Sequence, residues 1–165
     1  MSLINKLYDY YRDKMMKKLI TFLFAILALL LASSTAKANN TQVTCLAKAM
    51  YFEARGGKPT EQINVGNAIL NRTEHDKFPK TICKVVSDRK HAIQFPWYYD
   101  GSSVRDYKTY KQIEKRAQDL YSTYVAGSRT DTTNGAVFFH AKTINPRWSY
   151  RKVSVNDSLH RYYKT

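Results

Sequence analysis

The chain has 165 residues, with 27 Lys and Arg against 13 Asp and Glu, and a formal net charge of +14. This length suits one domain with a short tail and excludes a multidomain assembly, while 44% hydrophobic residues exclude global disorder. Aromatic residues make up 13% of the chain, and together with so many cations they favour an anionic polymer or a carbohydrate as the partner.

The first element in chain order is a targeting segment. Lys17 and Lys18 precede an apolar run over residues 19–32, and a stretch of small residues follows that ends in Ala-x-Ala at Ala38. This order is typical of a secretory signal peptide. We therefore expect residues 1–38 to be a polar preface and signal peptide, cleaved after Ala38. The same run is just long enough for an uncleaved membrane anchor, which is the alternative.

The charge belongs to the part of the chain that export would leave. Residues 39–165 keep a net charge of +10, and no run of Lys or Arg in them is typical of a nucleic-acid-binding arm. Export also argues against a genomic partner. We expect a monomer that acts in the periplasm, in the cell wall or outside the cell, with an anionic wall polymer as its partner and membrane contact only through the signal segment.

The two cysteines, Cys45 and Cys83, both follow the signal segment. Disulfides persist in exported proteins, so we expect these two residues to be paired. Two buried free thiols are the alternative.

Residues 39–165 show helical patterns first and strand patterns later. Asn134-Gly135 predicts a tight turn before the first strand, and Asn156-Asp157 predicts a turn between the last two. The predicted fold class is α+β, mostly helical with a small antiparallel β-sheet in the C-terminal part. The predicted helices are 44–55, 59–72, 79–86 and 103–126, and the predicted strands are 136–140, 152–155 and 159–163.

The first predicted helix carries a carboxylate at a core-facing position. At about 100° per residue, Glu53 falls on the same face as the apolar residues 46, 49 and 50. Burial raises the pKa of a carboxyl group, and the negative end of the helix dipole raises it further. This favours a protonated Glu53 suited to general acid catalysis. A surface salt bridge from Glu53 to Arg55 or Arg72 is the alternative.

The residues around this carboxylate, and the blocks after it, resemble the SleB-type cell wall hydrolases, a family that includes spore cortex-lytic enzymes. The similarity runs in order through residues 44–163. Its blocks are Tyr51-Phe52-Glu53-Ala54-Arg55-Gly56, Ala68-Ile69-Leu70-Asn71-Arg72, Phe78 to Val86, Gln94-Phe95-Pro96-Trp97 with Asp100-Gly101, Ala136 to Ala141 with Pro146 and Trp148, and His160 with Tyr162-Tyr163.

The resemblance implies a lysozyme-like domain of the lytic-transglycosylase type at residues 39–165. Such a domain cleaves the peptidoglycan glycan strand between N-acetylmuramic acid and N-acetylglucosamine. The family's catalytic glutamate is the one in the Glu-Ala-Arg-Gly motif, which is Glu53 in this chain. Helix geometry singles out the same residue independently.

A second set of residues is expected to bind the sugar chain. Aromatic residues of the stretch 94–100 can stack on sugar rings and polar ones can bond to sugar hydroxyls, although packing against the core is the alternative for the aromatics. A histidine and a tryptophan further on lie in blocks that resemble the family, which makes them candidates for the same cleft. The expected substrate-binding residues are Gln94, Phe95, Trp97, Asp100, His140 and Trp148.

The sequence predicts neither a metal site nor a cofactor. Its four histidines, His91 among them, never occur at zinc-binding spacing, and no cysteine pair does either. A zinc-dependent peptidoglycan amidase or peptidase is therefore the less favoured alternative. A non-catalytic, basic wall-binding module is the other.

The mechanism depends on how many carboxylates the site holds. Hydrolysis with inversion, or through a covalent intermediate, requires a second carboxylate near the first. A single Glu53 is enough when the C6 hydroxyl of the muramic acid attacks instead of water, which predicts a lytic transglycosylase. The candidates for a second carboxylate are Glu61, Glu74, Asp76 and Asp100, and none is obviously paired with Glu53 in the sequence.

The chain departs from the family pattern at two positions beside the motif. The family usually has an acidic residue at the position of Gly57 and a glycine at the position of Glu61. We expect the change at Gly57 to remove a substrate contact or a loop tether and to leave Glu53 untouched.

Overall fold

The computed structural model describes residues 3–90 and 93–165, with the side chains of residues 12–24, 26, 39–90 and 93–165. His91 lies outside the described residues, as do most side chains of the predicted signal peptide. Two compact units are distinguished, Met1–Asn40 and Thr41–Thr165. Within the described residues, no helix is long and apolar enough to cross a membrane.

Helices occupy about the first three quarters of the chain, up to Val125, and the strands follow. The three strands form one antiparallel sheet in the order β1-β3-β2, so the α+β layout predicted from the sequence is confirmed. A 3-10 turn lies at Pro96–Tyr98 between the third and fourth helices. The elements are α1 (Leu3–Ala54), α2 (Pro59–Glu74), α3 (Ile82–Val86), α4 (Tyr107–Val125), β1 (Phe138–Ala141), β2 (Arg151–Val153) and β3 (His160–Lys164).

The predicted start of the first helix at residue 44 is wrong. Helix α1 begins at Leu3 and is continuous to Ala54. No glycine or proline occurs between these two residues, so nothing in the sequence interrupts the helical backbone. The predicted end is close, because Gly56-Gly57 follows directly.

Local capping sets the ends of the next helices. Lys58 is the N-cap of α2, Pro59 follows at the first helical position, and the Glu61 carboxylate accepts the Lys58 N–H at 2.8 Å. Asp106 caps α4 by accepting the N–H of Thr109 at 3.0 Å. This cap explains why α4 starts later than the predicted residue 103.

The core forms where α2 approaches α1 and α4 closely. A side chain at Gly66 of α2 would place its Cβ 2.6 Å from Leu120 Cδ2 and 3.1 Å from Met50 Sδ. Any larger residue at this crossing would force the Leu120 and Met50 side chains to shift. Buried residues around it include Leu46, Met50, Val65, Ile69, Ile113 and Ala117.

The predicted disulfide between Cys45 and Cys83 is confirmed. It joins α1 to α3, with the two Cα atoms 5.3 Å apart, and so the alternative of two free thiols is wrong. The bond holds the segment that leads to the 3-10 turn close to the last turns of α1.

A ladder of asparagines on α2 fixes the segment before the sheet. Asn71 donates to Thr133 Oγ1 at 3.1 Å and to the carbonyl of Ala136 at 3.0 Å. The Arg129 guanidinium donates to Asn67 Oδ1 at 2.8 Å and to Asn71 Oδ1 at 2.9 Å. These bonds satisfy buried polar groups and hold the start of β1 against α2.

Tight turns then place the strands. Asn134 and Gly135 both have positive φ, 53° and 75°, and the N–H of Ala136 reaches the carbonyl of Thr133 at 3.2 Å, so the predicted turn is present. Before β3, Asp157 Oδ1 accepts the N–H of Leu159 at 2.9 Å and of His160 at 2.8 Å.

The sheet has an inner and an outer face. We define the inner face by Phe139, His160 and Tyr162, and the outer face by Phe138, His140 and Tyr163. Phe139 pairs with Tyr162 and Phe138 with Tyr163, and paired residues share a face. The inner face packs against the helices, because Tyr162 clusters with buried Ala68 of α2 and Phe139 packs against the main buried core.

Candidate active site

Glu53 lies in the last turn of α1, and the three apolar residues on its helix face are fully buried, as the helical pattern predicts. Its carboxyl is half-buried, and Oε1 accepts the indole N–H of Trp97 at 2.8 Å. Burial raises the pKa of Glu53 above its ordinary value. The bond from Trp97 and the charges of His160 and Arg72 oppose this shift without cancelling it.

The surface salt bridge considered for Glu53 is absent within the described residues. Arg55 is exposed and lies over the ring of Tyr51, 5.2 Å from its centroid. Arg72 is buried, so it is not a surface partner either. Glu53 thus keeps the raised pKa that a general acid needs.

Arg72 is a buried cation beneath the site. Its Nε donates to the carbonyl of Val137 at 2.6 Å, and its Nη2 donates to the side-chain oxygen of Gln94. Burial lowers its pKa to about 10, against the charges of Asp88 and Glu53. The guanidinium carbon lies 5.4–5.8 Å from the ring centroids of Phe78, Phe95 and Phe139.

An aromatic wall stands beside the carboxyl. Trp97 stacks on Phe52 with the ring centroids 4.7 Å apart, and Phe95 meets Trp97 edge-on at 6.0 Å. Trp97 and Phe52 line a groove of about 430 Å³, a size typical of small-ligand sites. The other lining residues are Thr44, Cys45, Lys48, Val86, Tyr98 and Ser102. Glu53 is not among them and is connected to the groove through its bond to Trp97.

The polar residues predicted from the stretch 94–100 have partners within the protein. The side-chain oxygen of Gln94 accepts a hydrogen bond from Arg72. Asp100 is exposed and accepts the N–H and the hydroxyl of Ser102 at 2.9 and 2.5 Å, which lowers its pKa. Of the four residues predicted in this stretch, the structure brings Trp97 into contact with Glu53, while Phe95 is buried behind it.

His140 and Trp148 lie together on the outer face of the sheet. Their rings meet edge-on at 5.3 Å, and His140 Nε2 is 3.0 Å from the hydroxyl of Tyr163. The sequence predicts correctly that His140 shares a strand face with Phe138. The groups that influence the Glu53 carboxyl, Arg72 and His160, are on the inner side, so the structure does not place the pair with them.

The Asp157–His160 pair was not among the predicted site residues. His160 is buried, and its Nδ1 lies 3.6 Å from Asp157 Oδ1. Burial alone would raise the pKa of Asp157, but its contact with His160 and hydrogen bonds from Asn64 and Tyr162 hold it well below its ordinary value. Only the resemblance at His160 pointed to this position in the sequence.

The two departures from the family pattern form one arrangement. A Cβ at Gly57 would lie 2.5 Å from Glu61 Oε2 and 2.6 Å from Leu159 Cδ1, so the Glu61 carboxylate fills the space beside Gly57. The other oxygen, Oε1, accepts the N–H of Ser158 at 2.6 Å and its hydroxyl at 2.5 Å. Glu61 therefore binds the segment before β3 to the start of α2. It does so beside Gly57, where the sequence predicts the loss of a substrate contact or a loop tether.

The other candidate carboxylates are also engaged. Glu74 pairs with Arg129 at 2.8 Å, and Asp76 lies 3.4 Å from Lys80 Nζ. Among the residues that the structure describes, no three His, Cys, Asp or Glu side chains are grouped so as to hold a metal ion.

Residues 56–163 match the cell wall hydrolase family, a range that starts three residues after Glu53. Among curated proteins there is no match.

Two solved structures are similar to this chain. One is the catalytic domain of the germination-specific lytic transglycosylase SleB from Bacillus anthracis, with 24% identity, a TM-score of 0.55, and coverage of 76% of this chain and 94% of that one. The other is the catalytic domain of the Bacillus cereus SleB protein, with 21% identity, a TM-score of 0.54, and coverage of 77% and 91%. Both similarities establish the fold.

Proposed function

The chain belongs to the cell wall hydrolase family, and from that premise we propose that it cleaves the glycan strand of peptidoglycan between N-acetylmuramic acid and N-acetylglucosamine, with Glu53 as its acid and base. The observation that carries the proposal is the half-buried Glu53 carboxyl, with its pKa raised by burial, bonded to Trp97, whose ring lines an aromatic groove.

The Trp97 bond assigns separate tasks to the two oxygens of Glu53. Because Oε1 accepts the indole N–H, the proton of the neutral carboxyl resides on Oε2. Oε2 then donates this proton to the glycosidic oxygen as the bond to the leaving sugar breaks. A sugar stacked in the groove beside Trp97 would present that oxygen to Glu53.

The second half of the reaction uses the same residue. The resulting Glu53 carboxylate takes the proton of the C6 hydroxyl of the muramic acid, whose oxygen attacks C1 and closes a 1,6-anhydro ring. Inverting or covalent hydrolysis requires a second carboxylate. The four candidates already have partners: Glu61 bonds to Lys58 and Ser158, Glu74 to Arg129, Asp76 to Lys80, and Asp100 to Ser102. This favours the route that uses Glu53 alone.

The direct test is digestion of purified sacculi followed by mass spectrometry of the released muropeptides. We expect products that end in anhydro sugars, each lighter by one water than a hydrolytic product. Products with only reducing ends would place the chemistry at the same bond but exclude transglycosylation. A chelator should leave activity unchanged, since a zinc amidase would lose it.

Glu53→Gln tests the assignment of the acid. It keeps the shape and the acceptor for Trp97 but cannot transfer a proton, so activity should fall by about 10²–10⁴-fold with binding to sacculi retained. Glu114→Gln, the same change on α4, is the control and should remain active. Near-full activity of Glu53→Gln would refute the assignment.

The location of the protein is part of the proposal. A peptidoglycan substrate lies outside the cytoplasm, which agrees with export through a signal peptide cleaved after Ala38. N-terminal sequencing of the exported protein should then begin at Asn39. An intact N-terminus in the membrane fraction would instead identify an anchor.

A further inference from the structure

Aromatic rings that the proposed mechanism does not use cover the outer face of the sheet. Tyr150 stacks on Phe138, with ring centroids 4.1 Å apart and planes 7° from parallel. Trp148 meets His140 and Tyr163 edge-on, at 5.3 and 5.6 Å. Trp148 and Tyr150 nevertheless remain 37% and 40% exposed. Two large rings are therefore held in fixed positions with solvent on one side.

Cations lie on the same face. The strand register places Lys152 opposite Tyr163 and Arg161 opposite His140, and paired residues share a face. Lys152 and Arg161 also line a groove of about 360 Å³, but inner-face His160 and Tyr162 line it as well and no ring of the outer face does. The strand register alone therefore places these two cations on the outer face.

These cations are available for an external anion. Within the described residues, neither Lys152 nor Arg161 forms an ion pair. Residues 138–156 contain no Asp or Glu at all. Rigid exposed rings beside unpaired cations match a polymer that combines sugar rings with carboxylates.

We propose that this outer face is a second, non-catalytic binding surface for a peptidoglycan strand. Sugar rings stack on Trp148 and Tyr150, and carboxylates of the peptide stems pair with Lys152 and Arg161. The inference rests on the proposed function, because it takes the same polymer as ligand. A strand held at the outer face raises the effective concentration of substrate at Glu53 without any new contact in the catalytic groove.

Two variants test the surface independently. Trp148→Ala removes the exposed ring, and the double variant Lys152→Gln/Arg161→Gln removes the charges but leaves the ring cluster unchanged. In the Glu53→Gln background, each should weaken binding to purified sacculi roughly three- to tenfold, which is the range for one stacking contact in the first variant and for two exposed ion pairs in the second. With Glu53 present, each should keep the wild-type kcat/KM on a soluble peptidoglycan tetrasaccharide, which occupies only the catalytic groove.

Matched controls come from helix α4. Tyr107→Ala removes an exposed ring there and Lys115→Gln removes an exposed charge. Sacculus binding by the test variants equal to that of these controls would overturn the proposal. So would an equal loss of tetrasaccharide turnover, because the residues would then belong to the catalytic groove. If thermal melting shows that Trp148→Ala does not fold, the double charge variant decides.

The same samples separate this inference from the proposed function. Digestion of sacculi by the wild type measures the function. If the wild type releases no muropeptides while the test variants lose binding, the proposed reaction is wrong and the binding surface stands. If the wild type digests sacculi and the variants bind as tightly as the controls, only the binding surface is refuted.

Discussion

At the scale of single residues, the behaviour of Glu53 follows from opposing influences on one carboxyl. Burial favours the neutral form, whereas the Trp97 N–H and the nearby charges of His160 and Arg72 favour the ionised form. Burial dominates. The balance leaves a group that can hold a proton at higher pH than an exposed glutamate and can still release it.

Trp97→Phe should shift this balance in one direction. The variant keeps a ring to stack on Phe52 but loses the N–H that favours the carboxylate, so the pKa of Glu53 rises further. The proton is then retained to higher pH, and the alkaline limb of the kcat/KM profile on a soluble oligosaccharide should move to higher pH. Trp148→Phe is the control and should leave the profile unchanged; a limb that moves down in Trp97→Phe would contradict the assignment.

Glu53→Gln should also change stability, with a definite sign. The folded protein raises the pKa of Glu53 above its ordinary value of 4.5. The contribution of the neutral carboxyl to the free energy of unfolding is therefore complete below pH 4.5, and it is lost as the pH rises through the pKa of the folded state. The variant cannot ionise, so it should be more stable than wild type at neutral pH, and its advantage should vanish towards about pH 4. Urea unfolding at both pH values measures this, and a variant less stable at neutrality would argue against the raised pKa.

At the scale of elements, close contact between helices positions the last turn of α1, which carries Glu53. Helix α2 packs closely against Met50 of α1 and Leu120 of α4 because residue 66 is glycine and has no side chain to displace theirs. The α1–α3 disulfide attaches the segment that leads to the 3-10 turn at Pro96–Tyr98 to these helices. The asparagines of α2 attach the segment before the sheet. This helical frame supports Glu53 from α1 and Arg72 from α2 on adjacent helices.

Gly66→Ala should loosen this frame. The new methyl group would lie 2.6 Å from Leu120 Cδ2 and 3.1 Å from Met50 Sδ. Overpacking of this kind costs about 1–3 kcal/mol, and the better helix propensity of alanine offsets about 1 kcal/mol. We expect a net loss of about 1 kcal/mol in chemical unfolding. Gly56→Ala is the control, since a Cβ at that position would have no atom within 4 Å, and an equal effect at both positions would contradict the packing argument.

At the scale of the whole molecule, charge governs the encounter with the wall. Residues 39–165 have a net charge of +10, and cell wall polymers are anionic. Digestion of sacculi should therefore fall steeply between low and high salt, because exposed charges are screened beyond a Debye length of about 8 Å at physiological ionic strength. Turnover of a neutral soluble oligosaccharide should stay constant in the same series. Sacculus digestion that is independent of salt would mean that the basic surface serves another partner.

The local pattern of the sequence was enough to predict several features of the structure. Helical spacing put Glu53 on the buried face of the last turn of α1, strand alternation put His140 beside Phe138, and Asn134-Gly135 marked the turn before β1. These features depend only on residues a few positions apart, which is the range over which backbone periodicity acts. The pairing of Cys45 with Cys83 was also predictable, because a chain with only two cysteines, expected from its sequence to be exported, has a single way to pair them.

Only the tertiary structure decided which groups meet. Trp97 bonds to Glu53 across 44 positions, and Ser158 bonds to Glu61 across 97. The burial of Arg72 among three phenylalanine rings likewise depends on how the sheet packs on α2. The same packing decided that His140 and Trp148 face outwards, away from Arg72. Periodicity assigns a side chain to a face of its own element, but the partner of that face is set by the packing of elements that are distant in the chain.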